Sequence, residues 1–344
     1  NRGAQPPTLS QEKKSATGRL LRLSLPITAS AMLVSLTRLT DMTLILRRLQ
    51  DAGMDAVHAN ALFGSYSTLA LPLFGLVPAF VSAIALPLIP NVSARPELQD
   101  RSHRLISAAV RLTAMIALPA TLGLLLFSEP ILSLLFQGQP EAVAVAAPLL
   151  SVLASSVVFS CLITVTNEVL QAWEHLSLPI ISIAAGTAGK VASEYLLVGS
   201  PLGIYGAPVS TVLCGVTVML VNLAFVRRYT PAAGSGTVRQ LLRTAASSAV
   251  AVGTAAGLYA LLIRVGAGNA VALIAAIAAA VLIYVCAALR SRAVTAADIE
   301  ILPGGEKIAR FLGKTGMFGT VRSEKQIRGI NKNDAERNDS IHRR

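Results

Sequence analysis

Residues 21–46 read LRLSLPITASAMLVSLTRLTDMTLIL, and the reading of this stretch decides the fold. It is long and apolar enough to cross a bilayer, for which about 20 such residues suffice. Yet Arg38 and Asp41 stand well inside its ends. Residues three apart are neighbours on a helix. Stepping along one face by three or four gives Ser24, Thr28, Ala31, Ser35, Arg38 and Asp41, a polar or small stripe on a helix otherwise rich in Leu, Ile, Met and Val. A charge at the centre of a membrane helix costs roughly 2.5–3.5 kcal/mol. That cost is tolerated where the charge meets a wet cavity or a partner, which makes the stripe the first candidate site. Two plainer readings stand beside it. Arg38 and Asp41 can pair with each other and fix helix packing, or Arg38 can snorkel toward an interface near Arg47 and Arg48. Arg38 lies nine positions from Arg47, about 14 Å along the axis, a long reach for a snorkelling arm.

The composition outside this stretch agrees with a membrane protein. Of 344 residues, 53% are hydrophobic and 14% charged, where a soluble domain carries about 25% charged residues. The mean hydropathy is positive, and at this length that means repeated spans, an all-α membrane protein with about eight transmembrane helices. A formal charge of +12 would suggest nucleic acid in a soluble protein. Here the basic residues gather in connecting segments and the C-terminal tail, which suits the positive-inside rule and an anionic membrane surface, with no nucleic-acid partner. Cys161, Cys214 and Cys286 all fall in apolar runs with no metal spacing and no disulfide framework, and read as small buried hydrophobes.

Taken in order, residues 1–20 are a polar, basic cytoplasmic lead-in. The spans cover about 21–46, 61–90, 105–127, 145–171, 176–198, 207–226, 245–263 and 269–289. The second contains Pro72, Pro78, Pro87 and Pro90 and is expected to bend, as prolines do in membrane helices. ILSLLF at 131–136 reads as a short interfacial helix. Residues 229–244 form a basic linker between a six-span part (21–228) and a two-helix unit (245–290). In 291–319, Ile308, Phe311 and Leu312 share a face against Lys307, Arg310 and Lys314, an interfacial amphipathic helix. Residues 320–344 are a polar, basic tail that reads as disordered. With the N-terminus inside, the inner connections hold Arg95, Arg101, Arg104, Arg227, Arg228, Arg239, Arg243 and the basic tail, and the outer ones only Arg47, Arg48 and Arg264. Both termini are therefore expected to be cytoplasmic. QAWEH, an inner link without Lys or Arg, fits this least well. The chain starts at Asn1 in a polar segment, which reads as part of a longer protein.

Further polar groups lie within the spans. The fourth ends in Thr164, Asn167, Glu168 and Gln171, and the fifth carries Lys190 and Glu194 four apart. Lys190 lies near mid-span and needs a carboxylate or a wet cavity. The alternative is an intrahelical Lys190–Glu194 pair buried between helices. Glu168 and Gln171 can equally be interfacial, and Asn222 reads as a helix-packing hydrogen bonder. No Walker sequence is present, the histidines are scattered, and Ser and Thr lack a plausible base, so the chain does not read as an enzyme and implies no cofactor. A few polar groups of both signs spread over several spans suit a cavity for a charged or sugar-rich ligand, with cations for phosphates and amides for hydroxyls.

LPITASAMLVSLTRLTDMTLILRRLQDAG resembles the seventh helix of the polysaccharide-exporter branch of the multidrug/oligosaccharidyl-lipid/polysaccharide superfamily, with the nearest likeness to stage V sporulation protein B and related lipid II-type flippases. The same order continues with LALPLFGLVPAFVSAIALPLIPNVSA, SEPILSLLFQG, NEVLQAW, GKVASEYLLVGSPLGIYGAPVSTVLCG and ILPGGEKIARFLGK, covering about residues 20–314. The chain departs from the pattern at Glu194, where relatives show Asn, and at QAWEH, where they show a Gly-rich basic link. The resemblance implies two six-helix lobes facing a central cavity, with two extra helices. This chain would hold the second lobe and the extra pair, and the missing first lobe of the same protein would be a partner beside membrane lipids. It further implies translocation of a lipid-linked oligosaccharide or a peptidoglycan or polysaccharide precursor across the cytoplasmic membrane by alternating access, in cell-wall, spore-cortex or polysaccharide assembly. Arg38, Asp41, Ser35, Asn167, Gln171 and Lys190 would meet the substrate, and Asp41, Glu168 and Glu194 would take a coupling proton or sodium ion. Two rivals are cation-coupled multidrug extrusion, against which the low aromatic content argues, and a non-transporting scaffold for envelope enzymes acting through the basic tail.

Overall fold

A computed structural model describes residues 9–85, 99–173, 175, 177–229 and 235–290. The expected amphipathic helix at 291–319 and the tail lie outside them, as do Pro87 and Pro90. Every regular element among the described residues is helical. In order they are α1 (Leu9–Asp51), α2 (Ala56–Ser65), α3 (Leu71–Ala85), α4 (Gln99–Leu135), α5 (Pro140–Ala154), α6 (Val157–Ala172), α7 (Ser177–Val198), α8 (Gly206–Tyr229), α9 (Ser235–Arg264) and α10 (Asn269–Arg290). A π turn, Tyr66–Ala70, joins α2 to α3, and a 3-10 turn, Gly203–Tyr205, leads into α8.

Two of the breaks in these helices follow from proline. Within the second expected span the chain stays helical through α2 and α3 but widens to a π turn, where the Leu71 N–H donates to the Tyr66 carbonyl. Pro72 comes next and has no N–H to give, so the ladder shifts by one residue rather than kinking sharply. In α4, Phe127 leaves helical geometry at φ −109°, ψ 17°. Three residues later Pro130 cannot donate to the Leu126 carbonyl. ILSLLF therefore lies in the short helical stretch beyond this break, where a short helix was expected. The fourth expected span is likewise two helices, α5 and α6, meeting at 51°. Finally, α9 begins at Ser235, so the second half of the expected linker is helical.

Among the described residues, five helical stretches are long and apolar enough to span a membrane, six if α5 and α6 count as one bent span. The other two expected spans fall on α1 and α7. Helices α1 and α7 have the length, since 22 residues at about 1.5 Å each already exceed the hydrocarbon core. They carry charges within the expected spans, Arg38 and Asp41 in one and Lys190 and Glu194 in the other. These two helices pack against each other. Helix α7 also packs along α8, while α4 is bordered by α5, α6 and α9.

The largest apolar cluster joins Ile45 and Leu49 of α1, Tyr66 and Leu69 of the π turn, Leu132 of α4, and Leu149, Leu150 and Leu153 of α5. A second joins Phe127 to Val252, Ala255, Leu273 and Ala276 of α9 and α10, with Phe127 and Tyr259 edge to face at 5.7 Å. Large apolar side chains such as Met32, Leu36, Leu39, Phe80, Leu196, Leu220 and Leu282 stay exposed, the pattern of a protein whose solvent is lipid or whose faces are covered by other chains. The chain divides into two compact units, Asn1–Tyr284 and Val285–Arg344. Of the second, only 285–290, the end of α10, is described.

Candidate functional site

The site grows out of the seam between α1 and α7. Three contacts cross it in step. Thr37 Oγ1 and Thr187 Oγ1 share a hydrogen bond of 3.2 Å, Lys190 Nζ donates to Asp41 Oδ2 in an ion pair, and Arg48 Nε donates to the Tyr195 carbonyl at 3.1 Å. The numbers rise together, so α1 and α7 run parallel, as the first and fifth of alternating spans must. Arg48 also lies over the Tyr195 ring, 4.1 Å from its centroid, and pairs with Asp51 at 3.4 Å.

The crossing contacts use Thr37, Asp41 and Arg48, four and then seven positions apart, rather than the stripe through Ser35, Arg38 and Asp41 read from the sequence. At 3.6 residues per turn, a step of three falls about 60° short of a full turn. Over Ser35, Arg38 and Asp41 the shortfalls add, and the expected stripe does not stay on one face. Asp41 turns in to α7, while Ser35 and Arg38 are exposed. Arg38 therefore pairs neither with Asp41 nor, among the described residues, with any other carboxylate.

Lys190 is 8% exposed and Glu194 is fully buried. The intrahelical alternative for this pair does not hold, since the Lys190 ammonium goes to Asp41. Glu194 has Lys190 and Asp41 as its charged neighbours, yet neither of its oxygens meets a hydrogen-bond donor, and nor does Asp41 Oδ1. Tyr66 of the π turn and Cys214 of α8 are close enough to feel both carboxyls. With both acids ionised, this cluster of one cation and two anions carries one uncompensated negative charge in a buried place, an arrangement that needs a further positive charge or a proton. A proton between Asp41 and Glu194 would serve both donorless oxygens.

The other candidates lie elsewhere. Asn167 Oδ1 accepts from Asn222 Nδ2 at 2.7 Å, and the same nitrogen donates to Thr166 Oγ1 at 3.0 Å. Asn222 is fully buried, and this α6–α8 bond is the helix-packing role expected of it. Glu168 Oε1 accepts from Ser82 Oγ of α3 at 3.1 Å, while its Oε2 is buried without a partner. Gln171 is exposed at the end of α6. The structure thus brings Asp41, Lys190 and Glu194 together and leaves Ser35, Arg38, Asn167, Glu168 and Gln171 apart from that cluster. Tyr66 escaped the sequence reading because nothing local separates it from an ordinary core aromatic. Among the described residues no group of His, Cys, Asp and Glu could hold a metal ion. Cys161 is buried as expected, Cys214 is half-buried, and Cys286 is exposed, so burial does not extend to all three.

The family model "Lipid II flippase MurJ" matches residues 2–290. The chain belongs to the MurJ lipid II flippase family. A MurJ-family solved structure, lipid II flippase MurJ in an inward closed conformation, is similar with a TM-score of 0.59 at 14% identity, covering 80% of this chain and 54% of that one. A MATE crystal structure is similar with a TM-score of 0.50 at 18% identity, covering 84% of this chain and 68% of that one. Both likenesses show the fold. The uncharacterized membrane protein YabM of Bacillus subtilis (strain 168) is 30% identical over 218 residues, 62% of this chain and 39% of YabM. The chain therefore spans about two fifths of that relative and about half of the MurJ chain. The expectations of an all-helical, multi-pass membrane protein of the flippase superfamily are met.

Proposed function

We propose that the chain is one lobe of a flippase that moves a lipid-linked oligosaccharide, or a peptidoglycan or polysaccharide precursor, across the cytoplasmic membrane by alternating access, in cell-wall or spore-cortex assembly. The observation that carries this reading is the buried Asp41–Lys190–Glu194 cluster between two otherwise apolar helices. Charges placed there are unfavourable for a merely structural seam, because apolar residues of similar volume would pack at least as well. They suit a site whose occupancy changes.

The roles divide by exposure. Arg38, with Ser35 a turn before it, offers a guanidinium to a diphosphate, which it can bind with two parallel hydrogen bonds. Gln171 is free for sugar hydroxyls. Asn167 is committed to Asn222 and belongs to packing. Lys190 holds Asp41 to α7, and Asp41 and Glu194 take up and release a coupling proton or sodium ion, with the half-satisfied Glu168 as a further acceptor. When that charge arrives or leaves, the α1–α7 seam tightens or loosens, and this lobe rocks against a facing one. Both termini of the segment lie on the cytoplasmic side.

The test is complementation of flippase-depleted cells by the full-length protein carrying Arg38→Ala. Growth should fail while the membrane level stays normal. Full complementation would remove Arg38 from the substrate path. Loss of function on deleting residues 320–344, with Arg38→Ala active, would favour a scaffold instead.

A further inference from the structure

A polar concavity lies apart from this cluster. A cavity of about 670 Å³ opens where the last turns of α4 meet α5, the end of α9 and the first residue of α10, and its polar lining is Ser128, Glu129, Ser133, Ser151, Tyr259 and Asn269. None of these belongs to the α1–α7 seam. The break at Phe127 creates it by turning the end of α4 aside. The walls bond to the backbone of α4 on either side of the break. Ser151 Oγ donates to the Leu125 carbonyl at 2.9 Å, and Asn269 Nδ2 donates to the Pro130 carbonyl at 3.1 Å. Tyr259 Oη in turn donates to Asn269 Oδ1 at 2.9 Å. These bonds tie α4, α5, α9 and α10 together, so the cavity is preformed. Its volume falls in the range of about 300–1,000 Å³ usual for small-ligand sites.

The chemistry of the lining narrows the occupant. Glu129 is its charged member, and among the described residues it makes neither an ion pair nor a hydrogen bond. A metal ion would need more oxygen ligands of this kind than one carboxylate. A quaternary ammonium would call for an aromatic cage, and Tyr259 is the single aromatic lining residue. A primary ammonium, with three N–H donors for one carboxylate and the surrounding hydroxyl oxygens, fits. The lining residues stand near the ends of three apolar helices, and Leu125, Leu135 and Leu261 on the same helix ends are exposed. Acyl chains would lie on those leucines, with the headgroup beside Glu129.

We infer that this cavity binds the primary-ammonium headgroup of a phospholipid of the phosphatidylethanolamine class from the adjoining leaflet. The inference does not depend on the transported substrate. It is tested on the full-length protein in nanodiscs of equal parts phosphatidylethanolamine, phosphatidylglycerol and phosphatidylcholine, with co-retained lipid measured by native mass spectrometry. Phosphatidylethanolamine should be enriched several-fold, the enrichment should vanish in Glu129→Gln, and Glu129→Asp should restore part of it. Glu129 is exposed, so neither substitution threatens folding, and a monodisperse elution profile checks this. Enrichment unchanged in Glu129→Gln, or phosphatidylcholine retained equally, would overturn the site. Free phosphoethanolamine binding in detergent, with no lipid preference in nanodiscs, would overturn the assignment to a lipid.

Discussion

A lysine inside an apolar helix is tolerable only with its counter-charge, and Lys190 has found one 149 positions away, in Asp41. Removing one partner of a buried pair leaves the other uncompensated, a loss of about 3–5 kcal/mol for fully buried pairs. Asp41 is 18% exposed at its side chain, so the lower end applies. Lys190→Met is expected to destabilise the protein by about 3 kcal/mol, and the double variant Asp41→Asn, Lys190→Met should recover much of this, because the two positions are coupled. Thermal unfolding in detergent checks both. Glu194→Gln removes the excess negative charge and supplies a donor to Asp41. It should raise the melting temperature while abolishing transport. A melting temperature that falls would show that ionised Glu194 is needed for the fold.

At the scale of the element, α7 packs along α8, and their approach at Gly186 depends on the absence of a side chain. A methyl group at Gly186 would collide with Val218 and press on Cys214. Gly186→Ala is expected to push the helices apart and cost about 1–3 kcal/mol, read as a lower melting temperature. Since α7 carries Lys190 and Glu194 one and two turns further on, the same change should also lower transport. Gly189, with nothing within contact distance of an added Cβ, is the control and should accept alanine without loss. Small residues permit such close approach in membranes, where dispersion contacts rather than the hydrophobic effect drive helix pairing.

Over the whole molecule, the basic connections predict an orientation. If both ends of the segment lie inside, reporter fusions at residues 229–234 and after Arg290 should report cytoplasm, and one between Arg264 and Asn269 the opposite side. The reverse pattern would invert the positive-inside argument. The all-helical character, most span positions and the family likeness were legible in the sequence, because each rests on local hydropathy and on short quoted segments. The charged residues that meet between α1 and α7 were legible as well, since a charge in an apolar run is conspicuous wherever it lies. Their pairing was not. Arg38 and Asp41 look like neighbours in the chain, and Lys190 and Glu194 like an intrahelical pair, but a helix turns each residue by about 100°, and small departures decide which side chain meets the next helix. The sequence by itself therefore determined that this chain lives in a membrane and where its unfavourable charges sit. Only the tertiary structure decided that Asp41 leaves Arg38 for Lys190 and that Glu194 stays without a donor, because those outcomes depend on the contact of two helices far apart in the chain.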